Sequence, residues 1–215
     1  MPNQSTAPLR HAVVLAHPDP HSFNAAVAEV YCNTVRECGQ EAIFHDLYRM
    51  SFDPVLKGDE RPEIYGFAVS PDVEAEIRAL SGSDVFTIIH PVWFGMPPAI
   101  MIGYVDRVLG AGVTPKQVQE GAGKGLLNGC HMLTITTSGA RAVWLDEQGQ
   151  MESLRNLSGR YLSHAFSARS HENLHFGGIV EGFSRRFVDQ NLYDVRERAR
   201  KLCATVAAER HATAI

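Results

Sequence analysis

The sequence has few cysteines and no long apolar run, and each absence excludes a class of protein. Its four cysteines, Cys32, Cys38, Cys130 and Cys203, form no Cys-x-x-Cys pair, which argues against a zinc ribbon and a disulfide framework. No apolar run approaches the length that crosses a bilayer, and residues 1–10 contain no apolar leader segment. We therefore expect a cytoplasmic protein without membrane insertion, in which residues 1–10 form a loose segment.

An excess of positive charge and a glycine-rich fingerprint are also missing. The 20 Lys and Arg against 24 Asp and Glu give a net charge of −4, so nucleic acid is not an expected partner. No Gly-x-Gly-x-x-Gly motif follows a strand pattern, which argues against a Rossmann dinucleotide site. Residues 121–125 resemble a phosphate loop but follow no strand, so we expect a surface loop. His171 and His175 lie in a loop and strand pattern, and we expect no metal site.

Strand and helix patterns alternate from end to end. Residues 11–16 are a continuous apolar run, as in a strand that is covered on both faces. Five strands are predicted, at residues 11–16, 41–47, 84–90 and 131–136 and near 176–180. Helices are predicted at residues 23–38, 73–80, 99–109, 151–162 and 187–208. This order predicts an α/β fold: one flavodoxin-like, doubly wound five-stranded parallel sheet with helices on both faces, in a single domain over residues 1–215.

Three unusual loops follow predicted strands, at the edge where such folds bind ligands. In residues 17–24, HPDPHSFN, Ser22 is a favoured helix N-cap, and a capped helix start can bind phosphate. His17 and His21 can each add a donor. A stiff capped turn with no ligand is the alternative.

The second loop, residues 91–98, has the sequence PVWFGMPP and presents Trp93 and Phe94 beside Gly95. A rigid loop of this kind can hold an aromatic ligand against flat apolar surface, or both rings can simply pack into the core. The third loop, residues 136–141, has the sequence TTSGAR, whose hydroxyl and backbone N–H groups suit the polar edge of a heteroaromatic ring. A capped turn would use the same residues.

These motifs together resemble a known family. His17 with Ser-Phe-Asn at 22–24, PVWFGMP at 91–97, GYVDRVL at 103–109 and TTSG at 136–139 are similar, in order and spacing, to the NAD(P)H:quinone oxidoreductases. That family is also described as DT-diaphorase-like or flavodoxin-like NAD(P)H dehydrogenases. The resemblance covers about residues 11–145.

The resemblance implies a homodimer in which each subunit binds a flavin, with FAD favoured over FMN. NAD(P)H would be the hydride donor, and a quinone or related electrophilic aromatic would be the acceptor, in a two-electron ping-pong reaction. The implied flavin-binding residues lie in the three loops: His17, Ser22, Phe23, Asn24, Pro91, Val92, Trp93, Phe94, Thr136, Thr137, Ser138 and Gly139. The first four would hold the phosphate and ribityl region, the next four the ring, and the last four its polar edge.

Two positions depart from the family pattern. Counted forward without gaps, Trp144 and Gln150 occupy the places of a Tyr and a His that stabilise the reduced flavin in animal quinone reductases. Neither residue can ionise in that role, so no catalytic acid or base is assigned. Asp106 and Arg107 either form an internal ion pair behind the second loop or face solvent.

Two other functions fit a flavin-binding protein of this kind. Some relatives of the family are flavin-binding accessory subunits of a potassium efflux system, and flavodoxins themselves are electron carriers. An enzyme would bleach its flavin on addition of NADH or NADPH, whereas a regulator or carrier would leave it oxidised.

Overall fold

The computed structural model describes residues 7–121, 125–180 and 182–213 and contains one five-stranded sheet. The strands are β1 (Arg10–Leu15), β2 (Glu41–Asp46), β3 (Val85–Pro91), β4 (His131–Ser138) and β5 (Ser170–Gly177). Their order is β2-β1-β3-β4-β5, and every neighbouring pair is parallel. The predicted flavodoxin-like α/β fold is therefore confirmed.

Helices cover both faces of the sheet. They are α1 (Phe23–Glu37), α2 (Pro71–Leu80), α3 (Ala99–Tyr104), α4 (Pro115–Gln119), α5 (Ala142–Glu147), α6 (Gln150–Arg155), α7 (Leu162–Ala165) and α8 (Arg185–Thr213). Alternate residues of each central strand face opposite layers: Val13 packs with α1 and α8, and Val14 with α2 and α3. We call these layers the α1 face and the α3 face.

The first four predicted strands lie where they were expected, but α4 and α5 were not predicted, and the fifth strand differs. The fifth strand is not at residues 176–180 but at Ser170–Gly177, where four polar residues precede Leu174. β5 is an edge strand and is only partly covered, so its sequence lacks the apolar run that marked the central strands. The predicted helix at 99–109 changes to a π-helix after Tyr104, and a second π-helix joins α6 to α7. Residues 1–6 of the expected loose segment, and 122–124 of the expected surface loop, lie outside the described residues.

Arg107 is buried and anchors the long segment between β2 and α2. Its guanidinium donates to Glu60 Oε1 at 2.6 Å and to Asp72 Oδ2 at 2.8 Å, and it also bonds the carbonyl of Asp53. The hydrogen bonds from Arg107 to Glu60 lower the pKa of that carboxyl to about 2. Asp106, its sequence neighbour, is exposed. Arg107 thus forms an internal ion pair. Its acidic partners lie in the long segment between β2 and α2 and in α2 itself.

Arg107→Met is expected to destabilise the protein by about 3 kcal/mol, because it leaves the buried Glu60 carboxylate without its cation. Urea unfolding at pH 7 measures this change. Arg78→Met is the matched control, since Arg78 pairs with Glu74 on an exposed helix surface and its loss should cost less than about 0.5 kcal/mol. Equal losses in the two variants would contradict the anchoring role of Arg107.

Candidate functional site

The parallel register brings the three loops to one edge of the sheet. β1, β3 and β4 are neighbours, and each ends at one of the loops; β4 extends to Ser138, two residues further than predicted, so residues 136–138 of the third loop are its last strand residues. The ladder continues into the loops, since Ala16 N donates to Ile89 O at 2.9 Å and Val92 N donates to Thr137 O at 2.7 Å. The loops at 17–24, 91–98 and 136–141 therefore form one continuous surface, which we call the loop edge.

The first loop is held by side chains that cap its turn. The Oγ of Ser22 accepts a hydrogen bond from Ala25 N at 3.2 Å, which confirms Ser22 as the N-cap of α1. His17 Nδ1 accepts from Asp19 N at 3.1 Å, and Asp19 Oδ1 accepts from His21 N at 2.8 Å. A helix start of this kind directs its first N–H groups outward, where an anion can bind them.

Asn24 connects the first loop to the third and leaves one polar atom without a partner. Its Nδ2 donates to Thr137 Oγ1 at 2.8 Å, and the residue is 3% exposed. Its Oδ1 is buried without a hydrogen bond. A buried acceptor that lacks a partner is costly unless a ligand donor completes it, so the loop edge is suited to a ligand that carries hydroxyl or N–H groups.

The side chain of Phe23 points away from the loop edge. Its ring packs edge-on against Phe176 at 5.8 Å and Phe183 at 6.1 Å, and it belongs to the core under α1. Phe23 therefore contributes its backbone, rather than its ring, to the loop edge.

The second loop presents its aromatic rings outward. Phe94 and Gly95 both have positive φ, 52° and 80°, between the paired backbones of Trp93 and Met96. Positive φ at both central residues is typical of a type I′ turn, and it is unusual for a bulky residue such as Phe. Phe94 is fully exposed and Trp93 is 40% exposed. The alternative that both rings pack into the core is therefore wrong.

Trp93 also contacts the first loop, since its ring centroid lies 5.9 Å from that of His17 at an edge-on angle. Pro91 and Val92 precede it and are buried, with Val92 in a small cluster beside α5 and α6. The aromatic turn thus stands on a packed base, which limits how far it can move.

The third loop divides its side chains between the two faces. Thr137 faces the α1 face and Asn24, whereas Thr136 and Ser138 face the α3 face and contact His175 of β5. All three side chains are buried, and Gly139 is exposed just beyond the strand. Burial, with the charge of Arg155 as a smaller cause, lowers the pKa of His175 to about 4, so its ring is neutral at pH 7.

The two positions that depart from the family pattern flank the aromatic turn differently. Gln150 Nε2 donates to the carbonyl of Gly95 at 2.9 Å and so ties α6 to the second loop. Trp144 is exposed on α5. Gln150 therefore has a structural contact at the site, which counting along the sequence could not show.

Several cavities adjoin the loop edge. A groove of about 440 Å³ runs from Ser22 along α1 towards Phe44 and Arg49 of the β2 side. A smaller cavity of about 60 Å³ lies over the α3 face between Thr136, Arg155 and His175. Within the described ranges, no three metal-ligating side chains lie close together. No helix in those ranges is long and apolar enough to span a membrane.

Comparisons with known proteins support the fold and the family. The model of a family described as having a flavodoxin-like fold matches residues 10–201. An uncharacterized NAD(P)H oxidoreductase of Haemophilus influenzae is 30% identical over 203 residues, which cover 94% of each chain. NAD(P)H dehydrogenase [quinone] 1 of Rattus norvegicus is 30% identical over 168 residues, 70% of this chain but only 58% of the rat protein.

Solved structures show the same fold. NAD(P)H:quinone oxidoreductase from Methanothermobacter marburgensis superposes with a TM-score of 0.77 at 24% identity, covering 91% of this chain and 98% of that one. General stress protein 14 of Treponema denticola, in complex with FMN, has a TM-score of 0.61 at 20% identity, covering 90% of this chain and 99% of that one.

Gly95→Ala is expected to cost more stability than Gly149→Ala, although both glycines have positive φ. A Cβ at Gly95 would lie 2.9 Å from Gln150 Nε2, whereas a Cβ at Gly149 meets nothing within 4 Å. The shared backbone strain is about 1 kcal/mol, and the crowding adds to it only at Gly95. Thermal unfolding measures both variants. In the double variant Gly95→Ala/Gln150→Ala, the loss of stability beyond that of Gly149→Ala should disappear. An unchanged loss would contradict the crowding between the added Cβ and Gln150.

Proposed function

This chain belongs to the flavodoxin-like NAD(P)H:quinone oxidoreductase family, and from that premise we propose that it is a flavin-dependent NAD(P)H oxidoreductase. Its proposed reaction is the two-electron reduction of quinones or related electrophilic aromatics. The observation that carries the proposal is the loop edge itself. The capped start of α1, an outward aromatic turn and the unpartnered Oδ1 of Asn24 lie together there.

Each loop offers what one part of a flavin needs. The N–H groups at the start of α1, with His17, suit the phosphate, and Asn24 Oδ1 suits a ribityl hydroxyl. Trp93 and Phe94 offer flat apolar surface to the ring. Backbone N–H groups of residues 137–139 suit the oxygens of its polar edge. A flavin held there would supply the hydride-transfer chemistry between NAD(P)H and the acceptor.

The chain's own contribution is to orient the groups around the ligand. The Asn24–Thr137 hydrogen bond fixes the first loop against the third, and the Gln150–Gly95 bond fixes the aromatic turn against α6. The exposed ring of Phe94 offers apolar surface against which a donor and then an acceptor can stack. We assign no acid or base to the reaction, because Trp144 and Gln150 cannot ionise in that role.

We further propose FAD as the resident flavin, on the strength of the diaphorase-like motifs, and a cytoplasmic location. Release of the flavin by heat and measurement of its mass distinguishes FAD from FMN. The regulatory and electron-carrier alternatives are not favoured, since the named relatives are NAD(P)H oxidoreductases and dehydrogenases.

A homodimer is proposed because apolar side chains stand exposed beside the loop edge. Ile102 of α3 is 42% exposed and Leu157 of the second π-helix is 67% exposed, and both line one apolar pocket of about 150 Å³ on the α3 face. Exposed apolar residues that share a cleft are typical of an interaction surface.

The test of the proposed function is anaerobic reduction of the purified, flavin-loaded protein. We expect NADH or NADPH to bleach its yellow colour and a quinone to restore it, with one quinone consumed per NAD(P)H. A flavin that binds but stays oxidised with both nucleotides would reject the enzyme and favour a carrier or regulator.

Asn24→Leu is expected to weaken flavin binding about tenfold or more, because the ligand then loses a buried acceptor, and Thr137 loses its donor. Fluorescence titration of the apoprotein measures the dissociation constant. Asn33→Leu is the matched control, since Asn33 lies exposed on the same helix. Unchanged affinity in Asn24→Leu, or the same loss in both variants, would place the flavin away from Asn24.

Leu157→Lys is expected to shift the protein from dimer towards monomer, because a charge replaces apolar surface at the proposed interface. Sedimentation velocity over a range of protein concentrations measures the shift. Tyr193→Lys makes a comparable change on the exposed side of α8, beyond the α1 face, and should leave the dimer intact. A wild-type monomer at all concentrations would reject the interface.

A further inference from the structure

His175 bridges two hydroxyl groups of the third loop with both nitrogens of its ring. Its Nδ1 lies 2.8 Å from Thr136 Oγ1, and its Nε2 lies 3.0 Å from Ser138 Oγ. The strand register explains the contact, because Thr136 pairs with His175 across β4 and β5, and Ser138 lies two residues further on the same face. The sequence patterns gave this histidine no role beyond a rejected metal site.

The direction of each hydrogen bond follows from the Ser138 hydroxyl, which has a single proton. Ser138 Oγ donates that proton to the carbonyl of Ala140 at 2.8 Å, and a carbonyl can only accept. The hydroxyl must then accept from His175, so the ring carries its proton on Nε2. A neutral imidazole with Nε2–H has an unprotonated Nδ1, and this atom accepts the hydroxyl proton of Thr136.

The neutral state fits the surroundings of the ring. Burial is the main reason that the pKa of His175 is low, and Arg155, which lines the same small cavity, disfavours a second charge. His90, which precedes the second loop on the same face, is also buried with a pKa of about 4 and bonds the carbonyl of Pro91 through Nδ1. On this face, Arg155 therefore carries the charge, and the two histidines that flank Thr136, His90 and His175, are neutral.

We propose that His175 is a positioning residue that fixes the direction of the hydrogen bonds in the third loop. Its Nε2–H donates to Ser138 and its Nδ1 accepts the hydroxyl proton of Thr136, so that Thr136 presents only acceptor lone pairs to the ligand. Resting on the proposed function, this predicts that Thr136 Oγ1 receives a donor of the flavin, a ring N–H or a ribityl O–H. Donors to the flavin oxygens then come from backbone N–H groups, because neither hydroxyl has a proton to spare.

The consequence is measurable in the flavin itself. With His175 absent, the Thr136 hydroxyl is free to turn and donate to the ring, and a donor stabilises the negative charge that develops on reduction. His175→Leu is therefore expected to bind reduced flavin about tenfold more tightly relative to oxidised flavin. For a two-electron couple this raises the midpoint potential by about 30 mV.

A double-mutant cycle separates this role from general packing. Thr136→Val removes the hydroxyl that His175 orients, so adding His175→Leu to Thr136→Val should leave the potential where Thr136→Val alone puts it. His171→Leu is the control, because His171 lies on the same strand and face but contacts neither hydroxyl. The proposal would be overturned if His175→Leu shifted the midpoint potential equally in the wild type and in Thr136→Val. It would also be overturned if His175→Leu had the midpoint potential of the wild type.

A second measurement needs neither flavin nor a folded variant of His175. Long-range ¹H–¹⁵N spectra of histidine-labelled wild-type protein at pH 7 report the tautomer of each ring, with His175 assigned by the change that Thr136→Val causes. We expect neutral His175 with the proton on Nε2. A proton on Nδ1, or an imidazolium, would overturn the inference. Failure of the wild type to bind flavin would instead reject the proposed function and leave the tautomer result intact.

Discussion

The parallel backbone ladder between β1, β3 and β4 is the constraint on which the candidate site depends. Because the three strands run the same way and lie side by side, their following loops must emerge at one edge. The ladder also extends past the strand ends through the Ala16–Ile89 and Val92–Thr137 bonds, so the loops start from fixed positions. Loops on an antiparallel sheet of the same sequence order would leave at opposite edges and could not share a ligand.

Specific polar contacts then turn this edge into a surface with defined chemistry. Asn24 joins the first loop to the third, Gln150 joins α6 to the second, and His175 supports the third from behind. Each contact is a hydrogen bond between groups far apart in sequence and largely shielded from water, where an unmade bond is expensive. The loop edge therefore has a hydrogen-bonded base and an exposed aromatic turn.

Local patterns in the sequence could predict the central strands and the three loops, because apolar runs mark buried parallel strands and Ser22 marks a helix start. They could not place β5, whose polar residues reflect its position at the sheet edge. Nor could they give the partners of Arg107, which lie 35 and 47 residues away, or the bridge from His175 to Thr136. Such contacts depend on register across the sheet, and register is a property of the folded chain. The outward position of Phe94 likewise depends on its positive φ.

A crystal structure of the protein with its flavin bound would locate the ligand. We expect the phosphate at the start of α1 beside His17, a ribityl hydroxyl on Asn24 Oδ1, and the ring against Trp93 and Phe94 with its polar edge at residues 137–139. A flavin seated instead in the groove beside α1 towards Phe44 and Arg49, with the loop edge empty, would contradict this expectation.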